Sequence, residues 1–170
     1  LFLSEERLAN ALLLENSIRD NMLFTAIQVN KKYCGRFGFP LRKKCGNTAD
    51  EYIEKLEIKC ESHSQPVNQL SGGNQQKVCI ARMMIMEPEL LFIAEPTRGI
   101  DVGTKSVILE LLQKINSVEK TTVVISSGEL DELRQICSRI AVFYDGEIFK
   151  VLNADASEKE FAYALAGENL

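Results

Sequence analysis

Apolar positions along this chain recur at two spacings. Two short runs are almost continuously apolar, Leu90-Leu91-Phe92-Ile93-Ala94 ending at Glu95, and Thr121–Ser126, rich in β-branched residues. Runs of that length and density read as strands buried on both faces, as in a parallel sheet. Elsewhere the spacing is helical. Ser17 is placed to cap a helix with Ile18, Met22 and Ile27 on or near one face, and Ala49, Tyr52, Ile53 and Leu56 predict an amphipathic helix over 49–58. Thr48 and Glu51 read as the capping box of that second helix. From Val78 to Met86 the apolar residues face more than one side, so this helix is buried or half-buried until Pro88 ends it.

Further along, Ile108, Leu111, Leu112 and Ile115 share a face of a helix over about 103–118, and Leu130, Leu133 and Ile136 do so in a helix opened by Gly128-Glu129. Residues 139–144 and 147–152, joined by Asp145-Gly146, read as a hairpin. A tail helix carries Phe161, Ala164 and Leu165. Residues 31–47 break the pattern: six cations surround Gly35, Gly38 and Pro40, with Phe37, Phe39 and Leu41 between them. They read as a surface connection with its aromatics tucked onto neighbouring helices, the other reading being an RNA- or membrane-contacting loop. The polar stretch 61–68 holds the lone His63, which belongs to no catalytic constellation, is expected to be exposed, and is given no catalytic role.

Composition narrows the class. At 170 residues and 45% apolar, one ordinary domain with a real core is expected. A net charge of −4 excludes nucleic-acid binding by the chain as a whole. Cys34, Cys45, Cys60, Cys79 and Cys137 form no CxxC pair, so they read as reduced thiols and not as a metal set. No run is long and apolar enough to span a bilayer or act as a secretion signal. A first residue of Leu rather than Met points to an excised piece of a longer protein.

The candidate chemistry sits in Leu70-Ser71-Gly72-Gly73-Asn74-Gln75-Gln76-Lys77. A serine and two glycines opening a helix leave free amides at its positive dipole end, a setting suited to phosphate. A strand that then delivers Glu95 to the carboxyl edge of a sheet places it where open α/β sheets bind ligands.

LSGGNQQKV followed by LLFIAEPTRGIDVGTK resembles the signature motif, Walker B strand and D-loop of the ATP-binding cassette (ABC) ATPases. The wording is most similar to the second nucleotide-binding domain of the tandem ATPases of sugar and nucleoside importers, over roughly residues 2–151. The resemblance implies an α/β fold: the core of an ABC-type P-loop ATPase with a parallel sheet and a helical signature subdomain. Residues 1–88 would be the end of the Q-loop region plus the helical subdomain, and residues 89–170 the half of the core with the Walker B, D-loop and switch segments. The usual Q-loop glutamine is absent, and Ser4-Glu5-Glu6 stands in its neighbourhood. The phosphate-loop half is missing, because GxxxxGK[ST] occurs nowhere in the chain.

Two further departures concern catalysis. The Asp that holds a Mg²⁺-bound water in the family is Ala94 here, and the switch histidine position falls on Ser127 or Gly128. Glu95 remains as the candidate base, with a carboxylate bridging to Arg98 as the competing reading. The family's signature loop works in trans, meeting the γ-phosphate held by the partner domain. Ser71, Gly72, Gly73 and Asn74 carry that role over, Asp101 is the D-loop position, and no residue is assigned to metal. ATP and Mg²⁺ are implied for the full-length parent and none for the isolated chain.

The implied function is the ATP-binding subunit of a sugar or nucleoside importer. The implied partners are a second ATPase domain, a membrane permease and an extracytoplasmic binding protein, with the subunit cytoplasmic and peripheral to the membrane. The alternatives are a soluble ABC-type ATPase or an inert interaction fragment. An open sheet edge is expected where the phosphate-loop strand would lie, with Leu1-Phe2-Leu3 as its candidate cover.

Overall fold

The computed structural model describes residues 2–3 and 12–169. The expected turn at Ser4-Glu5-Glu6 lies outside the described residues. The chain divides into two compact units, residues 1–125 and 126–170.

In the first unit, β1 (Phe2–Leu3) precedes three helices, α1 (Ile18–Val29), α2 (Arg42–Lys55) and α3 (Gly72–Met84). Ser17 caps α1 as expected, its hydroxyl accepting from the Asp20 amide at 3.0 Å. Ile18, Met22, Leu23 and Ala26 are fully buried. Asn21 is buried with them, and every polar atom of its side chain is used. Its Oδ1 accepts from the Leu13 amide at 2.8 Å, while Nδ2 faces the carbonyls of Leu13, Asn16 and Ser17. From α3, the Arg82 guanidinium donates to the Asn21 carbonyl at 2.6 Å and to Oδ1 at 3.1 Å. Burial lowers the pKa of that guanidinium. A buried hub of this kind sets the register of α1 against α3, because shifting either helix would strand several polar groups at once.

Helix α2 corrects one expectation. It begins at Arg42, not near residue 49, so Thr48 and Glu51 lie inside it and form no capping box. Cys45, Gly46 and Ala49 are its buried face. Three small side chains let α2 approach closely enough that burial outweighs the weak helix propensity of Gly46-Asn47-Thr48. The helix ends at Leu56, after which Glu57 takes a left-handed conformation (φ 51°) and the Ile58 amide reaches back to the Ile53 carbonyl at 2.9 Å.

The sheet of this unit runs β1-β2-β3, with β2 at Leu90–Ala94 and β3 at Thr122–Ser126. β1 is parallel to β2, Phe2 opposite Phe92 and Leu3 opposite Ile93. Helix α4 (Val102–Ser117) makes the crossover from β2 to β3, burying Ile108, Leu111, Leu112 and Ile115 as their spacing predicts. β3 starts beside β2, with the Thr122 amide on the Glu89 carbonyl at 2.9 Å and Thr121 Oγ1 on the Pro88 carbonyl at 3.0 Å.

Burial of these strands on both faces is not observed. Along β2, Leu91 and Ile93 are buried, while Leu90 and Phe92 are 40% and 41% exposed. In β3 no residue is fully buried, and Val124 is exposed. The helices of this unit cover one face of β2 and leave the other open to solvent. The N-terminal extended piece pairs with β2 on the side away from β3, so β3 is an outermost strand among the described residues.

The second unit contains α5 (Leu130–Ile136), the antiparallel hairpin β4 (Arg139–Tyr144) and β5 (Glu147–Asn153), and α6 (Glu158–Leu165). Asp145 and Gly146 form the turn with φ of 49° and 81°, the pair of positive values that a two-residue hairpin turn demands. Ile140, Val142, Leu152, Phe161 and Ala164 form its core. Leu165 of the tail helix faces solvent instead. Ser157 and Glu160 close a capping box at the start of α6.

Candidate functional site

Helix α3 opens where the signature motif predicts, with Ser71 at the cap position. The serine hydroxyl does not cap the helix amides. It accepts instead from Asn74 Nδ2 at 2.9 Å. Asn74 is held in turn by the Lys59 amide, which donates to its Oδ1 at 2.9 Å. Ser71 and Gly72 are exposed, and a Cβ added at Gly72 would meet nothing within 4 Å. The helix start therefore presents backbone amides and one oriented hydroxyl to open space.

The next residues turn inward. Gly73 is buried, and a Cβ there would run into Thr104 Cγ2. That glycine is a packing requirement of this fold, because Thr104 is itself fixed by Asp101, the cap of α4. The Thr104 amide and hydroxyl donate to the two Asp101 carboxylate oxygens at 3.0 and 2.7 Å. The same two bonds hold the Asp101 carboxyl below its ordinary pKa. Gly73 and Asp101 thus meet through one threonine.

Gln75, Gln76 and Lys77, which carry no assigned role in the sequence, are tied into the fold. Gln75 Nε2 donates to the carbonyls of Leu70 and Val67 at 3.1 and 3.3 Å, fixing the turn before the helix. Gln76, 5% exposed, donates to the Pro96 carbonyl at 2.5 Å and ties the signature helix to the loop after β2. Lys77 is buried, and its ammonium donates to the Glu57 carbonyl at 3.0 Å, where the negative end of α2 receives it. Burial pushes the pKa of that ammonium down. The signal available beforehand was three consecutive polar residues opening a helix that is otherwise apolar on several sides.

Glu95 is half-buried at the end of β2, with φ of 49°. A left-handed glutamate is uncommon and persists only where surrounding contacts impose it. The Arg98 amide closes the following turn onto the Glu95 carbonyl at 3.3 Å, and Thr97 is buried beneath it. Ala94, half-buried just before Glu95, presents a methyl group where the resemblance calls for a carboxylate. Among the described residues no cluster of three metal-ligating side chains exists. The donor set at this strand end does not fit a Mg²⁺ shell.

Ser127 and Gly128 lie in the second unit. Ser127 Oγ donates to Glu132 Oε2 at 3.2 Å and accepts from the Glu129 amide at 3.0 Å, so the hydroxyl serves the start of α5. Gly128 is exposed. His63 differs from its expected exposure: it is half-buried, with Nδ1 2.8 Å from Asp50 Oδ1. All five cysteines are free thiols.

A family model described as ABC transporter matches residues 4–98. The chain belongs to the ABC transporter family. Among curated relatives of this ABC chain, a ribose import ATP-binding protein of Clostridium perfringens is 39% identical over 165 residues, which are 97% of this chain and 32% of that protein. A D-allose import ATP-binding protein of Escherichia coli is 37% identical, over 98% of this chain and 33% of its own length. The chain thus spans about a third of the length of these relatives. Among solved structures, a dimeric bacterial ABC transporter cassette, MJ0796, superposes with a TM-score of 0.71 at 26% identity, over 92% of this chain and 63% of that one. The cassette cbiO1 of Clostridium perfringens, at 22% identity and a TM-score of 0.73, shares the fold. The expected α/β architecture of an ABC ATPase core is thereby established. No helix among the described residues is long and apolar enough to cross a membrane.

Proposed function

We propose that this chain is the C-terminal part of the second nucleotide-binding domain of a tandem importer ATPase, and that it supplies the signature loop to a nucleotide held by the other domain. Residues 1–88 carry the helical signature part and residues 89–170 the strand, D-loop and switch part. The observation that carries the reading is the asymmetry of the signature segment. Gly73, Gln75, Gln76 and Lys77 are each committed to the fold. Ser71 and Gly72 alone face outward, with Asn74 orienting the serine hydroxyl. A rigid base with an open helix start suits docking against a phosphate presented from outside.

The chain's own site is the weaker one. Ala94 offers no oxygen to a metal shell, neither Ser127 nor Gly128 replaces a histidine, and Glu95 stands alone as candidate base. Asp101 acts through Thr104 and Gly73 as a positioning residue. The names of the relatives support a pentose or hexose as cargo of the parent. A membrane permease, a substrate-binding protein and the other ATPase domain are its proposed partners, at the cytoplasmic face of the membrane. ATP and Mg²⁺ serve the parent, and the isolated chain neither holds nor hydrolyses ATP.

Ser71→Arg in the full-length parent tests this. Ser71 is exposed, so the fold tolerates the change, while a bulky cation occupies the docking position. ATP hydrolysis and transport are expected to fall by tenfold or more, as for loss of a group that stabilises a developing charge, about 10²–10³. Unchanged turnover and uptake in that variant would show that the loop plays no part in hydrolysis.

A further inference from the structure

We infer that the loop over residues 34–44 is a direct contact site for an anionic lipid bilayer, separate from the nucleotide chemistry and independent of any permease. The loop is a built feature. The Gly35 amide donates to the Phe39 carbonyl at 2.8 Å, the Leu41 amide donates to the Tyr33 carbonyl at 2.9 Å, and Cys34 and Pro40 form an antiparallel bridge. Gly38, at φ +80°, turns the tip. Tyr33 is buried at its base, with Lys32 and Lys44 over its ring at 5.4 and 5.7 Å. This small hairpin holds Phe37 and Phe39 out in solvent, 84% and 76% exposed, although the sequence reading tucked them inward. Every residue from Arg36 to Lys44 is exposed.

The charge around them is one-sided. Between Asp20 and Asp50 the chain carries six cations and no carboxylate, while all 24 carboxylates lie elsewhere in a protein of net charge −4. Two exposed aromatic rings flanked in sequence by the exposed Arg36, Arg42 and Lys43 match an interfacial anchor: rings enter the boundary between headgroups and acyl chains, and cations meet the lipid phosphates. Single-stranded nucleic acid would also take rings and cations. It needs a basic track along its length, however, and the remainder of this chain is net acidic, with 14 cations against 24 carboxylates. Exposed Leu41 and Val29 add aliphatic surface that suits hydrocarbon and has no stacking role.

The chain contains no tryptophan, so Phe37→Trp makes the hairpin tip the only indole. Vesicles of equal parts phosphatidylcholine and phosphatidylserine are expected to blue-shift its emission and to co-sediment the wild-type chain, with binding weakened by added salt. Vesicles of phosphatidylcholine alone should bind far less. Phe37→Ser with Phe39→Ser, and separately Arg36→Glu with Lys43→Glu, should each lower partitioning by about tenfold or more, at one stated salt concentration, with circular dichroism unchanged. The inference is overturned by the absence of co-sedimentation, by equal partitioning of both double variants, or by equal binding to the neutral vesicles. It is also overturned if oligouridylate binds more tightly than the vesicles and the same substitutions abolish that binding, which assigns the loop to nucleic acid.

Discussion

The two segments that the proposed function sets beside a phosphate, the start of α3 and Ser127-Gly128, are built in opposite ways. At the start of α3, six consecutive residues from Gly72 to Lys77 divide their labour. Gly72 stays open, and the five that follow are packed or hydrogen-bonded to neighbours from Glu57 to Thr104. At Ser127-Gly128 the one side-chain hydroxyl is spent on its own helix start, on Glu129 and Glu132. The first segment is braced by its surroundings and points outward. The second spends its one side-chain hydroxyl on bracing itself. Under the proposed function, a loop that acts on a partner's nucleotide needs rigidity in its own chain, whereas a switch segment without a histidine needs only to keep its helix folded.

The comparison predicts a graded set of effects on the isolated chain. Gly73→Ala should be the most damaging, because the new methyl must displace Thr104 Cγ2 from a site Asp101 holds. Overpacking of that depth is expected to cost about 3 kcal/mol, read as a shift in the urea midpoint. Thr104→Ser removes the obstructing methyl and keeps the hydroxyl, so the double variant should recover most of that loss. If it does not, the glycine is required for some other reason and the brace between signature helix and α4 is weaker than described.

An alkaline titration comes next in size. Cys79 is 2% exposed in α3, and burial pushes its thiol up to about 11 from 9.0. A raised acid pKa means the unfolded chain releases its proton first. The contribution is therefore complete below pH 9 and drains away as pH rises toward 11, at about 1.4 kcal/mol per pH unit. Cys79→Ala should flatten that limb of the stability curve. A curve identical to wild type would place the alkaline loss elsewhere, with Tyr52, whose phenol burial raises to about 12, as the next group to examine.

The smallest effect belongs to the second segment. Ser127→Ala removes one hydroxyl that accepts a single amide and meets a single carboxylate. A stability change below about 1 kcal/mol is expected, with nothing lost in the parent's ATP hydrolysis. A large loss of turnover in the parent at normal stability would give Ser127 a role in the reaction and dissolve the contrast.

Much of this was legible from residue order alone. Periodicity located α1, α3, α4, the strands and the hairpin, since a repeat of 3.6 or 2 follows directly from which side of an element is buried. Ser17 was readable because a cap acts on amides two or three residues away. The order Leu70–Lys77 then Leu90–Asp101 sufficed for the family. What the tertiary structure decided depends on neighbours distant in sequence. It decided that Gly73 is forbidden a side chain by Thr104, that Gln76 reaches Pro96, and that Asn21 receives Arg82 across 61 positions. It also decided that α2 starts at Arg42, that one face of β2 stays open, and that Phe37 and Phe39 stand in solvent. Local pattern encodes which face of an element is apolar. Whether another element arrives to cover that face is a property of the packed chain.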